Sequence, residues 1–63
     1  MMDGFGVLTG QIDDKISQMK DFISAGKAES FEEYKRLCGE IKGLLTARGY
    51  ILDLKQNLEE SDE

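Results

Sequence analysis

A single interruption in an otherwise helical pattern is the feature that most constrains how this chain can fold. Gly26 suits the left-handed position just past a helix end. Ser30 and Glu33 form the S-x-x-E capping box that opens another helix. No proline occurs in the sequence, so no proline breaks a helix elsewhere. A helix stop followed within about five residues by a helix start is typical of an antiparallel helical hairpin. The sequence therefore predicts an all-α fold built on such a hairpin.

Apolar residues before this interruption recur every three or four positions, which indicates a helix with one buried face. These residues are Phe5, Leu8, Ile12, Ile16, Met19 and Ile23. Gly4, Gly6 and Gly10 weaken the first turns, because glycine is a poor helix former. We therefore predict an arm or a frayed turn over residues 1–7 and the first helix over residues 8–25.

The segment after the interruption carries a longer apolar stripe and predicts a longer second helix, over residues 31–58. The stripe comprises Tyr34, Leu37, Ile41, Leu44, Leu45, Ile51 and Leu52, flanked by Cys38 and Leu58. Residues 26–30 form the connecting loop, and residues 59–63 form a short acidic tail. A helix rises about 1.5 Å per residue, so the second helix outruns the first. Residues 51–58 are expected to project beyond their cover and to need another surface.

The length of 63 residues allows one domain, residues 1–63, with a small core. Domains of this size usually need a disulfide, a metal or a partner to become stable. A single cysteine cannot form an internal disulfide, and the absence of histidine leaves no set of soft ligands for zinc. The hairpin is therefore expected to be completed by oligomerisation or by docking on a partner.

Several function classes are disfavoured by composition. The net charge of -5 argues against direct nucleic-acid binding, which depends on clustered basic residues. No apolar run is long enough to span a bilayer. Cys38 has no histidine to activate it and is interpreted as a small packing residue. The pairs Asp13-Asp14 and Glu32-Glu33 point about 100° apart on a helix and do not converge. We therefore predict no enzymatic activity, no metal and no cofactor.

Two features of the second helix point instead to protein contacts. Gly39, Gly43 and Ala47 lie four residues apart and form a strip of small residues, interpreted as a place of close helix approach or as neutral variation on an exposed face. Arg48 lies within the apolar stripe, where it either extends its head to water or forms a salt bridge across the hairpin or to a partner. The residues expected to contact a partner are Gly39, Gly43, Ala47, Arg48, Ile51, Leu52, Leu54 and Leu58.

The second segment resembles a group of very short proteins from tailed bacteriophages that share an E-Y-x-x-L-C-G-x-I-x-G-L core and often end in an acidic tail. Here this core runs from Glu33 to Leu44, and the resemblance covers residues 25–63. It implies a phage-encoded minor virion component, docked in multiple copies on capsid, portal or neck proteins. It also implies a location in the virion and, during assembly, in the host cytoplasm. No catalytic motif comes with it.

Three functions remain open from the sequence. The first is the structural virion protein that the resemblance implies. The second is a small regulatory binder of a host or phage protein. The third is a dimer in which two hairpins form a four-helix bundle through the stripe from Leu37 to Leu58.

Overall fold

The protein folds as a helical hairpin whose second helix is the longer one, which confirms the predicted fold class. The computed structural model describes residues 3–61, in which α1 spans Gly4–Ser24 and α2 spans Phe31–Ser61. Arg48 of α2 pairs with Asp13 of α1, and Lys55, further along α2, pairs with Asp3, which precedes α1. Because later residues of α2 meet earlier residues of α1, the two helices run antiparallel.

The end of α1 is closed by hydrogen bonds around a left-handed glycine. Gly26 has a φ of 73°. Its N–H donates to the carbonyl of Ile23 at 3.0 Å, and the N–H of Lys27 donates to the carbonyl of Phe22 at 3.3 Å. This pair of bonds is the Schellman motif, which needs a residue with positive φ at the glycine position. The stop predicted from Gly26 is therefore present, and α1 ends at Ser24 with Ala25 as its C-cap.

The start of α2 is closed by a variant of the predicted capping box. The N–H of Glu33 donates to the Ser30 hydroxyl at 3.1 Å. The Glu33 carboxylate accepts from the N–H of Glu29 at 3.2 Å, one residue before the donor that a standard box uses. Two N–H groups near the helix start are satisfied in this way, so the connection is held at both of its ends.

The start of α1 differs from the prediction. The helix begins at Gly4, one turn before residue 8, so the described part of residues 1–7 is ordered helix and cap; Met1 and Met2 lie outside the described residues. The Asp3 carboxylate caps the helix by accepting from the N–H of Gly6 at 2.6 Å. The same carboxylate lies 3.3 Å from the Lys55 ammonium of α2. The cap and the contact with α2 offset the low helix propensity of the glycines.

The end of α2 also differs from the prediction, because the helix continues past residue 58 to Ser61. Residues 59–61 of the predicted tail are therefore helical, while Asp62 and Glu63 lie outside the described residues. The Gln56 side chain donates to the Glu60 carboxylate at 3.3 Å, within the last turns. Since α1 starts early, its first turn reaches the level of Lys55. The projecting part of α2 is consequently shorter than residues 51–58.

The core between the helices is thin. Ile16 and Met19 of α1 and Leu37 of α2 are its buried apolar residues within the described range, at 6%, 7% and 9% exposure. No side chain described is fully buried. Thr9 is buried beside this core and its hydroxyl donates to the carbonyl of Phe5 at 3.0 Å. Two helices enclose little volume, so most apolar side chains keep one side in water.

Candidate interaction surface

Arg48 is held by a salt bridge within the hairpin. Its Nε lies 2.8 Å from Asp13 Oδ1, and its Nη2 lies 3.5 Å from Asp13 Oδ2. Both side chains are partly exposed, at 36% and 52%. Of the alternatives that the sequence left open, the structure therefore shows the salt bridge across the hairpin. Arg48 closes one edge of the α1–α2 contact, and its guanidinium is already engaged there.

The same edge carries a second ion pair near the open end of the hairpin. The pKa of the Asp3 carboxyl lies below its ordinary value, because this group accepts from the Gly6 N–H and, to a lesser degree, interacts with Lys55. The ionised form of Asp3 thus holds the start of α1 and the far part of α2 together. We call the edge marked by the Asp13–Arg48 and Asp3–Lys55 pairs the ion-pair edge.

The glycine strip lies on the exposed side of α2. Gly39 and Gly43 are exposed, and a methyl group added at either position would meet nothing within 4 Å. Ala47 is half-buried. Within the described residues the space over both glycines is open. Close packing by another chain at this strip stays a prediction.

The predicted contact residues at the far end of α2 do not form one patch. Each residue advances about 100° around a helix, so residues one or two apart face different directions. Ile51 is half-buried and turned towards α1. Leu52, 39% exposed, lies on the side of the ion-pair edge. Leu54 and Leu58, 52% and 49% exposed, lie on the opposite side.

A face that the sequence reading missed lies on that opposite side. It consists of two rows with seven-residue spacing, one from each helix, and we call it the heptad face. Its members are Leu8, Lys15 and Phe22 on α1 and Glu40, Ala47 and Leu54 on α2. Leu8 and Phe22 are 44% and 37% exposed. The seven-residue spacing was visible in the sequence, but only the pairing of the helices shows that the rows lie side by side.

The groove at the open end of the hairpin supports this placement. Phe5 and Leu8 of α1 and Leu58 of α2 line it together. Leu58 adjoins Leu54, one turn away on the same side of α2. The Asp3–Lys55 ion pair also lines the groove. On the side of Leu8 and Leu58 the apolar surface continues from one helix to the other.

The flank of α2 towards the ion-pair edge carries a second apolar row. Phe31, Cys38, Leu45 and Leu52 again recur every seven residues, and Phe31 and Leu45 are 71% and 50% exposed. Cys38 is half-buried. The Cys38 thiol beside the Tyr34 hydroxyl raises the pKa of Tyr34 above its ordinary value. On this flank α1 contributes Asp13 rather than apolar residues.

No group of three or more histidine, cysteine, aspartate or glutamate side chains is placed to hold a metal ion in residues 3–61. Neither helix, over its described length, combines the length and the apolar character needed to cross a membrane.

The surface that the geometry singles out is thus the heptad face, together with Leu58 beside it. Comparison with protein families, with curated proteins and with solved structures finds no match for this chain.

Proposed function

We propose that this chain is a non-enzymatic interaction protein that packs its heptad face against another protein surface. The observation that carries the proposal is the contrast between the thin core and the exposed apolar residues. Leu8, Leu54 and Leu58, at 44%, 52% and 49% exposure, lie together on the side away from the ion-pair edge, whereas the most buried apolar residues still retain 6–9% exposure. Contiguous apolar surface of this kind is characteristic of protein contact sites.

The total accessible surface supports the same proposal. The chain exposes 4987 Å² for a mass of 7.1 kDa. A compact monomer of this mass exposes about 4,100 Å², so the hairpin has roughly 900 Å² in excess. A standard protein interface buries about 800 Å² on each partner. One interface of ordinary size would therefore bring the chain to the surface area of a compact protein.

The resemblance of the second segment to short tailed-phage proteins suggests the setting of this contact. We propose a minor virion component, present in multiple copies and docked on capsid, portal or neck proteins. Its location is then the virion and, during assembly, the host cytoplasm. The net charge of -5 favours a protein partner over direct contact with nucleic acid.

Site-specific photo-cross-linking in the producing cell tests the contact. A photoreactive amino acid at Leu54 reports on the heptad face. The same amino acid at Leu45 is the control, because the two leucines lie on different sides of α2 at 52% and 50% exposure. We expect cross-linked protein from Leu54 well above that from Leu45. Equal or absent cross-linking at Leu54 overturns the proposal.

Mass spectrometry of purified particles tests the setting. A virion component is expected at a copy number that is a simple ratio to the major capsid protein, as symmetric assemblies require. Absence from particles, with the chain present in infected cells, overturns the virion role and favours a regulatory binder. The cross-linking result on the heptad face stands apart from that outcome.

A further inference from the structure

We propose that the partner on the heptad face is a second copy of this chain, so that two hairpins form a four-helix bundle. This inference rests on the proposed function, because it names the occupant of the same surface. The first argument is the spacing within each helix. Each helix has one row of residues that faces the other helix of the hairpin and a second row that belongs to the heptad face. Taken together along the sequence, the positions of the two rows are separated by three and four residues in alternation. In α1 the combined positions are Phe5, Leu8, Ile12, Lys15, Met19 and Phe22, and in α2 they are Leu37, Glu40, Leu44, Ala47, Ile51, Leu54 and Leu58.

This pattern is the one that helix bundles use. Steps of three and four residues give two adjoining apolar rows, one for each neighbouring helix around a shared core. In the hairpin one of these rows on each helix packs against the other helix, as far as Ile51 in α2, and the second row is mostly exposed. Met19 and Leu37 are buried at 7% and 9% exposure, whereas Leu8 and Leu54 are 44% and 52% exposed. The hairpin therefore contains half of a four-helix-bundle core. A second copy, whose heptad face has the same spacing, would supply the other half.

The register of the hairpin places matching residues at one level. Counted outwards along the antiparallel helices, Leu8 and Leu54 lie level within about one residue from the Asp13–Arg48 pair and within about four residues, or one helical turn, from the Asp3–Lys55 pair. A two-fold axis parallel to the helices would bring Leu8 and Leu54 of both copies into one layer of four leucines. Such a contact is isologous, because the same surface is used by both copies.

The charges on the heptad face are compatible with a second copy. The chain carries a net charge of -5, so self-association needs a surface without excess negative charge. The heptad face carries one cation and one anion, Lys15 and Glu40. Glu40 pairs with Arg36 at 2.7 Å, and Lys15 forms no ion pair within residues 3–61. Lys15 lies about 9 Å along the axis from the level of Glu40, so it lies within side-chain reach of Glu40 in a second copy.

The opposite side fits a second copy less well. There the apolar row of α2 faces a side of α1 that carries the carboxylates of Asp3 and Asp13, each already paired within the chain. Two such sides brought together would take the Asp3–Lys55 and Asp13–Arg48 pairs out of water, and removing paired charges from water carries a desolvation penalty. On that side α1 offers these ion pairs and no apolar row. The heptad face, to which both helices contribute apolar residues, is therefore the side that fits a second copy better.

Sedimentation equilibrium of the full chain tests the inference with matched leucine variants. We expect the wild-type chain to reach twice its mass of 7.1 kDa at micromolar concentrations. Leu54→Asp places a charge in the proposed leucine layer, and we expect the dimer dissociation constant to rise at least about a hundredfold. Leu45→Asp makes the same change at equal exposure on the other side, and we expect a change below about threefold.

A second pair of variants keeps the test valid if Leu54→Asp fails to fold. Lys15→Glu and Lys42→Glu both change one exposed lysine and give the same net charge. Only Lys15 lies on the heptad face. We expect the dimer dissociation constant to rise about tenfold for Lys15→Glu and less than threefold for Lys42→Glu. Circular dichroism confirms that each variant stays helical.

The outcomes separate this inference from the proposed function. A wild-type chain that stays at monomer mass up to about 100 μM, far above a micromolar dissociation constant, overturns the dimer. The dimer on the heptad face is also overturned if the dissociation constant changes equally for Leu54→Asp and Leu45→Asp, or equally for Lys15→Glu and Lys42→Glu. If the chain is monomeric and Leu54 cross-links to a different protein in the cell, the proposed contact function stands and the second copy is rejected. If Leu54 cross-links to nothing, both are rejected.

Discussion

The exposed glycines of α2 lead to a quantitative prediction about stability. Gly39, Gly43 and Gly49 all lie inside the helix, and a methyl group at any of them would meet nothing within 4 Å. Alanine at such a position reduces the conformational freedom of the unfolded chain and removes no contact from the folded one. Each change is therefore expected to raise the free energy of unfolding by about 0.5–1 kcal/mol. We therefore expect about 1–2 kcal/mol for Gly39→Ala with Gly43→Ala, and half of this for Gly49→Ala.

Thermal unfolding followed by circular dichroism measures these effects. For a domain of this size, 1 kcal/mol corresponds to a midpoint shift of roughly 4–8 °C. All variants are compared at one protein concentration, because association makes the midpoint depend on concentration. Gly49→Ala is the control, since Gly49 lies outside the strip of Gly39 and Gly43.

The result that refutes the reasoning is a double variant that gains less than Gly49→Ala or loses stability. The added methyl groups would then meet atoms that a single hairpin does not place there. That outcome would support the prediction that another chain packs closely on the glycine strip. A gain in stability of the expected size would show that the glycine strip is open to solvent under the conditions of the measurement.

Three further predictions concern the turn, the cap and the salt bridge. Gly26→Ala forces a side chain into a left-handed residue, and we expect chemical denaturation to show a loss of about 1–2 kcal/mol, with a smaller loss for Gly26→Asn. The pKa of Asp3 is lowered in the folded state, so its contribution to stability is present above its unfolded pKa of about 3.9 and is lost as the pH falls through the folded value. Asp3→Asn keeps a capping side chain but has no carboxyl group to titrate. When the pH is lowered from 5 to roughly 2–3, we expect the thermal midpoint of this variant to fall less than that of the wild type. An equal fall in both proteins would assign the acid sensitivity to other groups. A double-mutant cycle with Asp13→Asn and Arg48→Gln is expected to give a coupling energy of about 0.5–1 kcal/mol, because the pair is partly exposed, and a value near zero would show that the pair does not hold the ion-pair edge.

Local signals explain why the connection between the helices could be predicted from the sequence. The Schellman bonds around Gly26 and the capping bonds of Ser30 and Glu33 join residues at most five positions apart. Interactions of such short range depend on backbone conformation and on side-chain type, and the sequence displays both. The apolar period of each segment is local in the same sense, so the existence of two helices follows from it.

The start of α1 shows where local reasoning is insufficient. Glycines at positions 4, 6 and 10 argue against a helix there when only propensity is considered. The cap from Asp3 is local, but its ion pair with Lys55 and the groove shared by Phe5 and Leu58 join residues at opposite ends of the chain. Such contacts exist only after the hairpin has closed, and they override a weak propensity.

The candidate surface, too, could be predicted from the sequence only in part. Exposed leucines on a long second helix, and the expectation of a partner, followed from length and pattern alone. The partner of Arg48, the separation of Leu52 from Leu54, and the union of the two heptad rows into one face depended on which side of each helix meets the other. A sequence states the angular positions of residues on one helix, but only packing fixes the rotation of two helices about their axes. The sequence thus determined the helices and their turn, and the tertiary structure decided which side chains lie together on each side of the hairpin.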